Sequence, residues 1–407
     1  MKILLFLEYK FYISQDNNLY AEKVIDKQYL DRYLNVFDEI TICARVSKTL
    51  TKHMPEPLVD NRISIIPLPD KSATGIMMNC KEIAKKISKQ CSNYEGKTKV
   101  DGLIIRGPSS ISYLAYEVYK LTKLPYVVEM VINPKNFFYD RHGLKGWIIG
   151  FIGTHIIVNH TKKLCYDANG VCYVTKHILQ DSYPSRSIKQ GFSDNNYFDA
   201  YALDVMLGEN GFSNNIFYHN KNESFIICHT GWMVGENKGH RLVLQVLKHL
   251  IDDGLNCKVK FIGDGPMKNS FMTYAKELGL SDNVVFLGQV NGYTKLQKEL
   301  ATSHLFLFPS RIEGLPRAIV EAMANSLPVV SFDNDGIPEL INSRYLAHVG
   351  DIEKLYTLTK MFYENEELRV MVANENFYKA HDYKTEIFDK TRRDFFIKFS
   401  NVIRNRK

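Results

Sequence analysis

The sequence lacks the features that mark disulfide-stabilised, zinc-binding or membrane-spanning proteins. Its seven cysteines are scattered with no Cys-x-x-Cys pair, and its twelve histidines form no His-x-x-x-His pattern. This distribution predicts reduced, buried thiols and no zinc site. The longest apolar stretch, 146–158, has 13 residues, fewer than the roughly 20 that a membrane span needs. An acid interrupts the first apolar run at Glu8, so we expect a strand there, no secretory signal and a cytoplasmic protein.

Charge is unevenly distributed along a chain of otherwise ordinary composition. Residues 1–200 hold 27 Lys/Arg against 20 Asp/Glu, a balance of +7; residues 201–385 carry −4 and the last 22 residues +4. This basic first half predicts an anionic partner, either a lipid surface or a pyrophosphate-bearing acceptor. No nucleic-acid-binding motif is present, so we expect no nucleic acid partner.

Strand-like and helix-like runs alternate over the whole length, which predicts an α/β protein. The length of 407 residues suggests two or three domains. We predict domains at 1–205 and 206–384, with residues 185–222, rich in Ser, Asn, Asp and Gly, as the end of the first domain and a linker. Apolar residues between 387 and 403 predict a separate amphipathic helix at 385–407.

The segment 309–341 is the most informative part of the sequence. Two acids, Glu313 and Glu321, stand eight residues apart across a loop that follows one apolar run and precedes another. Read as strand, loop, helix and strand, the segment places its loop where open parallel sheets bind ligands. We expect the helix to start near Leu315 with Pro316 in its first turn, where free amides bind anions. Eight helical residues span roughly 12 Å, which suits a nucleotide diphosphate sugar.

The run Glu-Gly-Leu-Pro-Arg-Ala, with Glu-Ala-Met-Ala, Pro-Val-Val and Gly-Ile-Pro-Glu-Leu after it, resembles the Glu-x7-Glu signature of retaining glycosyltransferases of family four. The resemblance implies the GT-B fold, in which two Rossmann-like, doubly wound domains face each other across a cleft. The first domain would hold the acceptor, the second would bind the nucleotide sugar, and the C-terminal helix would pack back on the first. The alternative for the motif is an amphipathic helix with a solvated Glu at each end.

The resemblance also implies roles for donor-site residues. It assigns Glu313 to the sugar hydroxyls, Glu321 to the ribose and Lys238 to the donor pyrophosphate. Trp232 stands where the family has a second phosphate-binding arginine, and our hypothesis is that Arg317 substitutes for it. Trp232 could instead stack on a base or fill core. The remaining donor-site positions that match the family are Gly231, Gly263, Gly265, Gly288, Gly314, Leu315 and Pro316.

For chemistry, the resemblance implies sugar transfer with retention, in which the leaving phosphate accepts the proton of the acceptor. Lys238 and the helix amides would stabilise the departing diphosphate. The pair Asp333 and Asp335 superficially resembles a metal-binding Asp-x-Asp motif, but Gly-Ile-Pro-Glu follows it, so we interpret it as a turn near the sugar. We therefore predict metal-independent catalysis without a cofactor.

The acceptor side is less well defined, because the Gly-Gly loop that the family has after its first strand is absent. Glu129 ends a predicted strand and is our candidate for a catalytic contact with the acceptor hydroxyl or the sugar; capping a helix is the alternative. Arg106 also ends a strand and could bind acceptor phosphate or form a structural ion pair. Asn133 follows Glu129 and completes the acceptor-side candidates. A glycan or a lipid-linked saccharide is the expected acceptor.

An apolar and basic segment lies between Phe137 and Lys163. Its apolar residues are Trp147, Ile148, Ile149, Phe151, Ile152, Ile156 and Ile157, and its basic residues are Lys135, Arg141, Lys145, Lys162 and Lys163. Interfacial helices combine these features, so the segment predicts peripheral contact with the cytoplasmic face of the inner membrane. A helix buried between domains explains the apolar residues equally well.

Together these patterns and the resemblance imply a metal-independent, retaining glycosyltransferase of polysaccharide or cell-envelope biosynthesis, such as capsule or lipopolysaccharide. Two alternatives remain: a sugar-nucleotide epimerase, and a nucleotide-sugar-binding module without transferase activity.

Overall fold

The computed structural model describes residues 1–14, 18–21, 25–47, 57–92, 100–138, 143–205, 207–290 and 292–406. The chain divides into two compact units. The first comprises Met1–Ala202 together with Asp389–Lys407, and the second comprises Leu203–Phe388. Each unit is built on its own sheet, so each has its own core.

The first unit contains an eight-stranded sheet. Its strands are β1 (Lys2–Ile13), β2 (Leu19–Ala21), β3 (Glu39–Ser47), β4 (Ile63–Leu68), β5 (Gly102–Gly107), β6 (Tyr126–Met130), β7 (Gly170–Tyr173) and β8 (Phe198–Tyr201). The order is β4-β3-β1-β5-β6-β7-β8, and β2 pairs with β1. All pairings are parallel except that of β2. The central strands are near-continuous apolar runs because helices cover parallel sheets on both faces.

The helices of the first unit connect these parallel strands. They are α1 (Lys27–Leu34), α2 (Ala73–Met78), α3 (Cys80–Ser92), α4 (Ser110–Thr122), α5 (Gly143–Asp167), α6 (Ile178–Ser182) and α7 (Arg186–Gln190). Sequence signals set their ends: Ser109 and Ser112 form a reciprocal capping box at the start of α4, and Lys123 ends that helix in a left-handed conformation.

The second unit contains a six-stranded, all-parallel sheet of order β11-β10-β9-β12-β13-β14. Its strands are β9 (Phe225–Thr230), β10 (Cys257–Ile262), β11 (Val284–Gly288), β12 (Leu305–Phe308), β13 (Val329–Phe332) and β14 (Leu346–Ala347). Its helices are α8 (His240–Asp252), α9 (Lys268–Glu277), α10 (Tyr293–Ala301), α11 (Arg317–Ala324), α12 (Ile337–Leu340), α13 (Ile352–Glu364) and α14 (Glu366–Ala380).

The last helix, α15 (Thr385–Asn405), returns the chain to the first unit. The Phe396 ring lies 5.2 Å from the Tyr33 ring, centroid to centroid. Gly102 permits this close packing, because a Cβ atom there would stand 2.8 Å from the side chain of Ile403. The aromatic spacing of the C-terminal segment is thus the buried stripe of an amphipathic helix.

The segment 185–222, predicted as the end of the first domain and a linker, contains one strand that the sequence did not predict. Residues 198–201 form β8, which pairs with β7 at the edge of the first sheet. Only Phe198 of this strand is fully buried. The run is too short and too polar for its periodicity to mark it as a strand.

Candidate functional site

The candidate site lies at the carboxyl edge of the second sheet. The chain builds β10 and β11 on one side of β9 and then places β12 on the other side. The strand order therefore reverses between β9 and β12, and such a reversal opens a crevice between the loops that follow the two strands. These are the loops that carry Lys238 and Glu313.

The two loops bring Lys238 and Glu313 into contact. Lys238 Nζ donates to Glu313 Oε1 over 2.6 Å, and the Glu313 side chain is largely buried. The backbone holds the loops together, since the amide of Arg311 donates to the carbonyl of Asn237 over 2.8 Å. Two residues predicted from the sequence, 75 positions apart, thus form an ion pair at the carboxyl edge of the sheet.

Glycines allow the loops after β9 and β10 to touch. Gly263 has a φ of +142°, and a Cβ there would lie 2.0 Å from the carbonyl oxygen of Gly231. Gly265 has a φ of +152° and would meet the carbonyl of Met233 at 2.5 Å. Both positions exclude any side chain on conformational and steric grounds. Gly288 ends the neighbouring strand, and its carbonyl accepts from the amide of Gly263.

The loop after β13 supports the loop that carries Glu313. Asp335 Oδ2 accepts from the backbone amide of Glu313 over 2.9 Å. The amide of Gly336 donates to the carbonyl of Gly314, also over 2.9 Å. Asp335 has a φ of +48°, a left-handed conformation that Asp and Asn tolerate better than other side chains. The sequence predicted a turn here but not this role of Asp335; the available signal was the Asp-Gly pair that begins three residues after the end of β13.

The helix after Glu313 starts later than predicted. It begins at Arg317, and Pro316 is its N-cap with an extended ψ of 115°. Leu315 is buried, and it cannot join the helix readily because a residue before proline is disfavoured in the helical region. The prediction of a start near Leu315 is therefore wrong by two residues.

Arg317 and Glu321 lie one turn apart on α11. Arg317 is exposed, and its Nη1 lies 3.5 Å from the carbonyl oxygen of Asp204. Burial raises the pKa of the Glu321 carboxyl above its ordinary value, and the charge of Arg317 partly opposes that shift. That Arg317 replaces the missing arginine stays a prediction.

Trp232 is half exposed, with 50% of its surface open to solvent. It therefore does not fill the core, one of the two alternatives for this residue. Beneath the same loop, two buried histidines contact each other with ring centroids 4.6 Å apart, His229 and His240. His229 Nδ1 lies 2.9 Å from the carbonyl oxygen of Leu307. Sequence reasoning missed this pair, since nothing in the local pattern distinguishes a buried histidine from an exposed one.

In the first unit, the acceptor-side candidates are engaged with other protein groups. Glu129 is only 3% exposed, and its Oε2 accepts from the Tyr33 hydroxyl over 2.7 Å. Arg106 lies beside it, with 3.5 Å between Nη1 and the same oxygen. Asn133 Oδ1 accepts from the Tyr183 hydroxyl and from the amide of Lys135. The structure thus brings Arg106 and Glu129 together as an ion pair, while Asn133 caps a short 3-10 turn.

Residues 213–377 match the model of the family described as glycosyl transferases group 1. This stretch is therefore similar to group 1 glycosyltransferases. It contains Lys238, Glu313, Asp335 and Glu321, so the site described above lies inside the matched stretch. Among the residues that the structure describes, no three His, Cys, Asp or Glu side chains are grouped as the ligands of a metal ion would be.

Comparison with whole proteins extends the similarity beyond residues 213–377. Protein CapJ of Staphylococcus aureus is 26% identical over 375 residues, which are 92% of this chain and 90% of CapJ. The structure of WaaG, a glycosyltransferase involved in lipopolysaccharide biosynthesis, matches with a TM-score of 0.61 at 13% identity, covering 96% of this chain and 98% of WaaG. HepE of Anabaena, in complex with UDP-glucose, matches with a TM-score of 0.59 at 13% identity, covering 97% and 99%. The chain has the GT-B fold.

Proposed function

We propose that this protein is a retaining glycosyltransferase that moves a sugar from a nucleotide-diphosphate sugar to a glycan or lipid-linked saccharide in surface-polysaccharide biosynthesis. One observation carries the proposal: Lys238 and Glu313 are in contact at the switch point of a sheet whose residues match the model of group 1 glycosyl transferases. HepE, of the same fold, binds UDP-glucose, and WaaG acts in lipopolysaccharide biosynthesis. The seven free cysteines suit work on the cytoplasmic side of the membrane.

In the proposed reaction the bond between the anomeric carbon and the leaving phosphate oxygen breaks. The bond to the acceptor oxygen forms on the same face of the sugar, and the departing phosphate takes the proton of the acceptor. The Lys238 ammonium stabilises the charge that builds on the diphosphate. When donor binds, Lys238 exchanges part of its contact with Glu313 for phosphate, so Glu313 becomes able to accept hydrogen bonds from the sugar hydroxyls. No step requires a metal ion.

The decisive experiment is a thermal-shift screen with nucleotide diphosphates and their sugars, followed by transfer assays with the donor that binds. We expect one nucleotide class to raise the melting temperature of the wild type, and Lys238→Met to abolish that shift. Glu313→Gln should still bind the nucleotide diphosphate, but its rate of sugar transfer should fall about 100-fold or more, because removing one preorganised polar contact in an active site has an effect of this size. Lys276→Met, an exposed lysine on α9, is the matched control and should behave as wild type.

Each part of the proposal has its own refutation. If Lys238→Met binds and transfers as well as the wild type, the site assignment is wrong. If the anomeric configuration of the product, measured by NMR, is opposite to that of the donor, the enzyme inverts and the same-face mechanism fails. If the donor binds but its bond to the diphosphate is never broken with any saccharide acceptor or with water, the protein is a binding module.

A further inference from the structure

Helix α5 of the first unit has two apolar faces. One face is buried and includes Ile157, Thr161, Leu164 and Cys165. The opposite face is open to solvent and carries large apolar side chains with exposed fractions of 44–66%, namely Ile148, Ile149, Phe151, Ile152 and Ile156. Ile157, one of the apolar residues predicted to face the membrane, belongs to the buried face. Arg141 and the side chains of Lys145 and Trp147 lie outside the described residues.

The five exposed side chains form a contiguous stripe. At 100° per residue, Ile148, Ile152 and Ile156 follow one another along the helix at the spacing of a single face, and Ile149 and Phe151 flank them. Isolated exposed apolar residues are normal, whereas a stripe of five within nine residues indicates an interaction surface. No helix in the described part of the chain is both long and apolar enough to cross a bilayer, so a membrane-bound α5 would lie along the surface.

The charges around this stripe favour an anionic partner. Its exposed face continues into Lys162 and Lys163, and Lys135 is exposed shortly before the helix. From residue 135 to residue 166 the sequence contains five Lys/Arg and one Asp, a balance of +4. The balance is still +3 when Asp167 is included, the acid at the end of α5 that accepts a hydrogen bond from Tyr116. An apolar stripe bordered by cations suits the acyl and headgroup layers of an anionic bilayer.

We propose that the exposed face of α5 docks on an anionic phospholipid bilayer, with the isoleucines and Phe151 among the upper acyl chains and Lys162 and Lys163 at the headgroups. The stripe from Ile148 to Lys163 is about 22 Å long, and it lies parallel to the membrane plane. This inference goes beyond the proposed reaction, and it holds whichever sugar or acceptor the enzyme uses.

The test is co-sedimentation of the full chain with two kinds of vesicle, phosphatidylcholine alone and phosphatidylcholine with one quarter phosphatidylglycerol. Wild type should bind the anionic vesicles, and binding should weaken as salt increases. Ile152→Gln/Ile156→Gln should bind about 30-fold more weakly, since each half-inserted side chain contributes roughly fivefold. Lys162→Gln/Lys163→Gln should also lose about 30-fold, roughly fivefold for each lysine. Glutamine preserves helix propensity at these exposed positions.

Matched controls come from the same unit. Leu121 is a single exposed apolar residue on α4, 51% open to solvent, and Lys85 and Lys89 are exposed on α3. Leu121→Gln and Lys85→Gln/Lys89→Gln should bind vesicles as the wild type does, with unchanged far-ultraviolet circular dichroism in every variant. The proposal is overturned if wild type does not sediment with anionic vesicles, or if Ile152→Gln/Ile156→Gln binds them equally well. It is also overturned if sedimentation velocity shows that the stripe instead joins two copies of the chain.

Discussion

The contact between Asp335 and Glu313 makes the sharpest prediction, because a side chain outside the signature motif holds the acid that the resemblance assigns to the donor sugar. Asp335 Oδ2 accepts from the amide of Glu313 over 2.9 Å, a hydrogen bond to a charged group that contributes about 1.5–3 kcal/mol. Its left-handed φ of +48° costs an ordinary L-residue about 1–2 kcal/mol. Three substitutions at this position separate the two effects.

Asp335→Ala loses the bond and retains the backbone cost, so it should be the most damaging of the three. If the whole bond energy is needed to hold Glu313 in the transition state, kcat/KM falls by about 10- to 150-fold. Asp335→Gly also loses the hydrogen bond but removes the conformational cost of the backbone, so its kcat/KM should lie between those of the Ala and Asn variants. Asn tolerates the left-handed conformation and still offers an acceptor oxygen, so kcat/KM of Asp335→Asn should fall only a few fold.

Initial rates with the donor found by the thermal-shift screen measure these effects, and urea unfolding measures stability in parallel. Asp351 is the matched control, because its Oδ1 accepts from the amide of Lys354 over 2.9 Å at the start of α13. Asp351→Ala should cost about 1 kcal/mol of stability and leave kcat unchanged. An Asp335→Ala enzyme with kcat/KM within twofold of wild type, or an Asn variant as impaired as the Ala variant, would refute the positioning role.

Three further predictions concern the same unit. Glu321→Gln should raise KM for the donor about tenfold with kcat little changed. The variant should also lose the wild-type preference for ribose over 2′-deoxyribose donors. If that preference remains, Glu321 does not contact the ribose. Burial and the nearby charge of Lys238 lower the pKa of His240 to about 4, so the unfolded chain, with its ordinary pKa near 6.5, binds a proton that the folded protein does not. The free energy of unfolding should therefore fall as the pH drops from about 6.5 towards 4, and this residue should account for about 2 kcal/mol of the fall at pH 5. In urea unfolding, His240→Phe should remove this contribution to the pH dependence, whereas His249→Gln should leave it unchanged. Transfer should continue at an unchanged rate in excess EDTA, and loss of activity that Mg²⁺ or Mn²⁺ restores would show that the reaction needs a metal ion.

Much of the second unit could be predicted from its sequence because parallel strands leave a strong local signal. Apolar runs at 258–263, 284–288, 305–309 and 328–332 predict four strands, and β10, β11, β12 and β13 match these bounds within one residue at each end. Short apolar runs bounded by glycine, proline or polar residues mark such strands. The proximity of the loops that carry Lys238 and Glu313 could be predicted as well, because the loops that follow parallel strands lie at the same edge of the sheet.

What the sequence could not reveal depends on contacts between distant residues. The hydroxyl of Tyr33 reaches Glu129 across 96 positions, so a strand-terminal acid that looked available for an acceptor is held in a buried network. The bond from the Glu313 amide to Asp335 joins loops of two different strands. Neither pairing has a spacing or periodicity that a local pattern could record.

The separation of 75 positions between Lys238 and Glu313 also affects folding of the chain. A diphosphate held by both loops has affinity only for molecules in which β9 and β12 are already paired. Any such ligand draws the population toward the finished domain, by about 2.7 kcal/mol at 100 times its dissociation constant. If the protein binds its donor as proposed, cells rich in that sugar nucleotide would accumulate more folded protein than starved cells, so its supply would affect abundance as well as turnover.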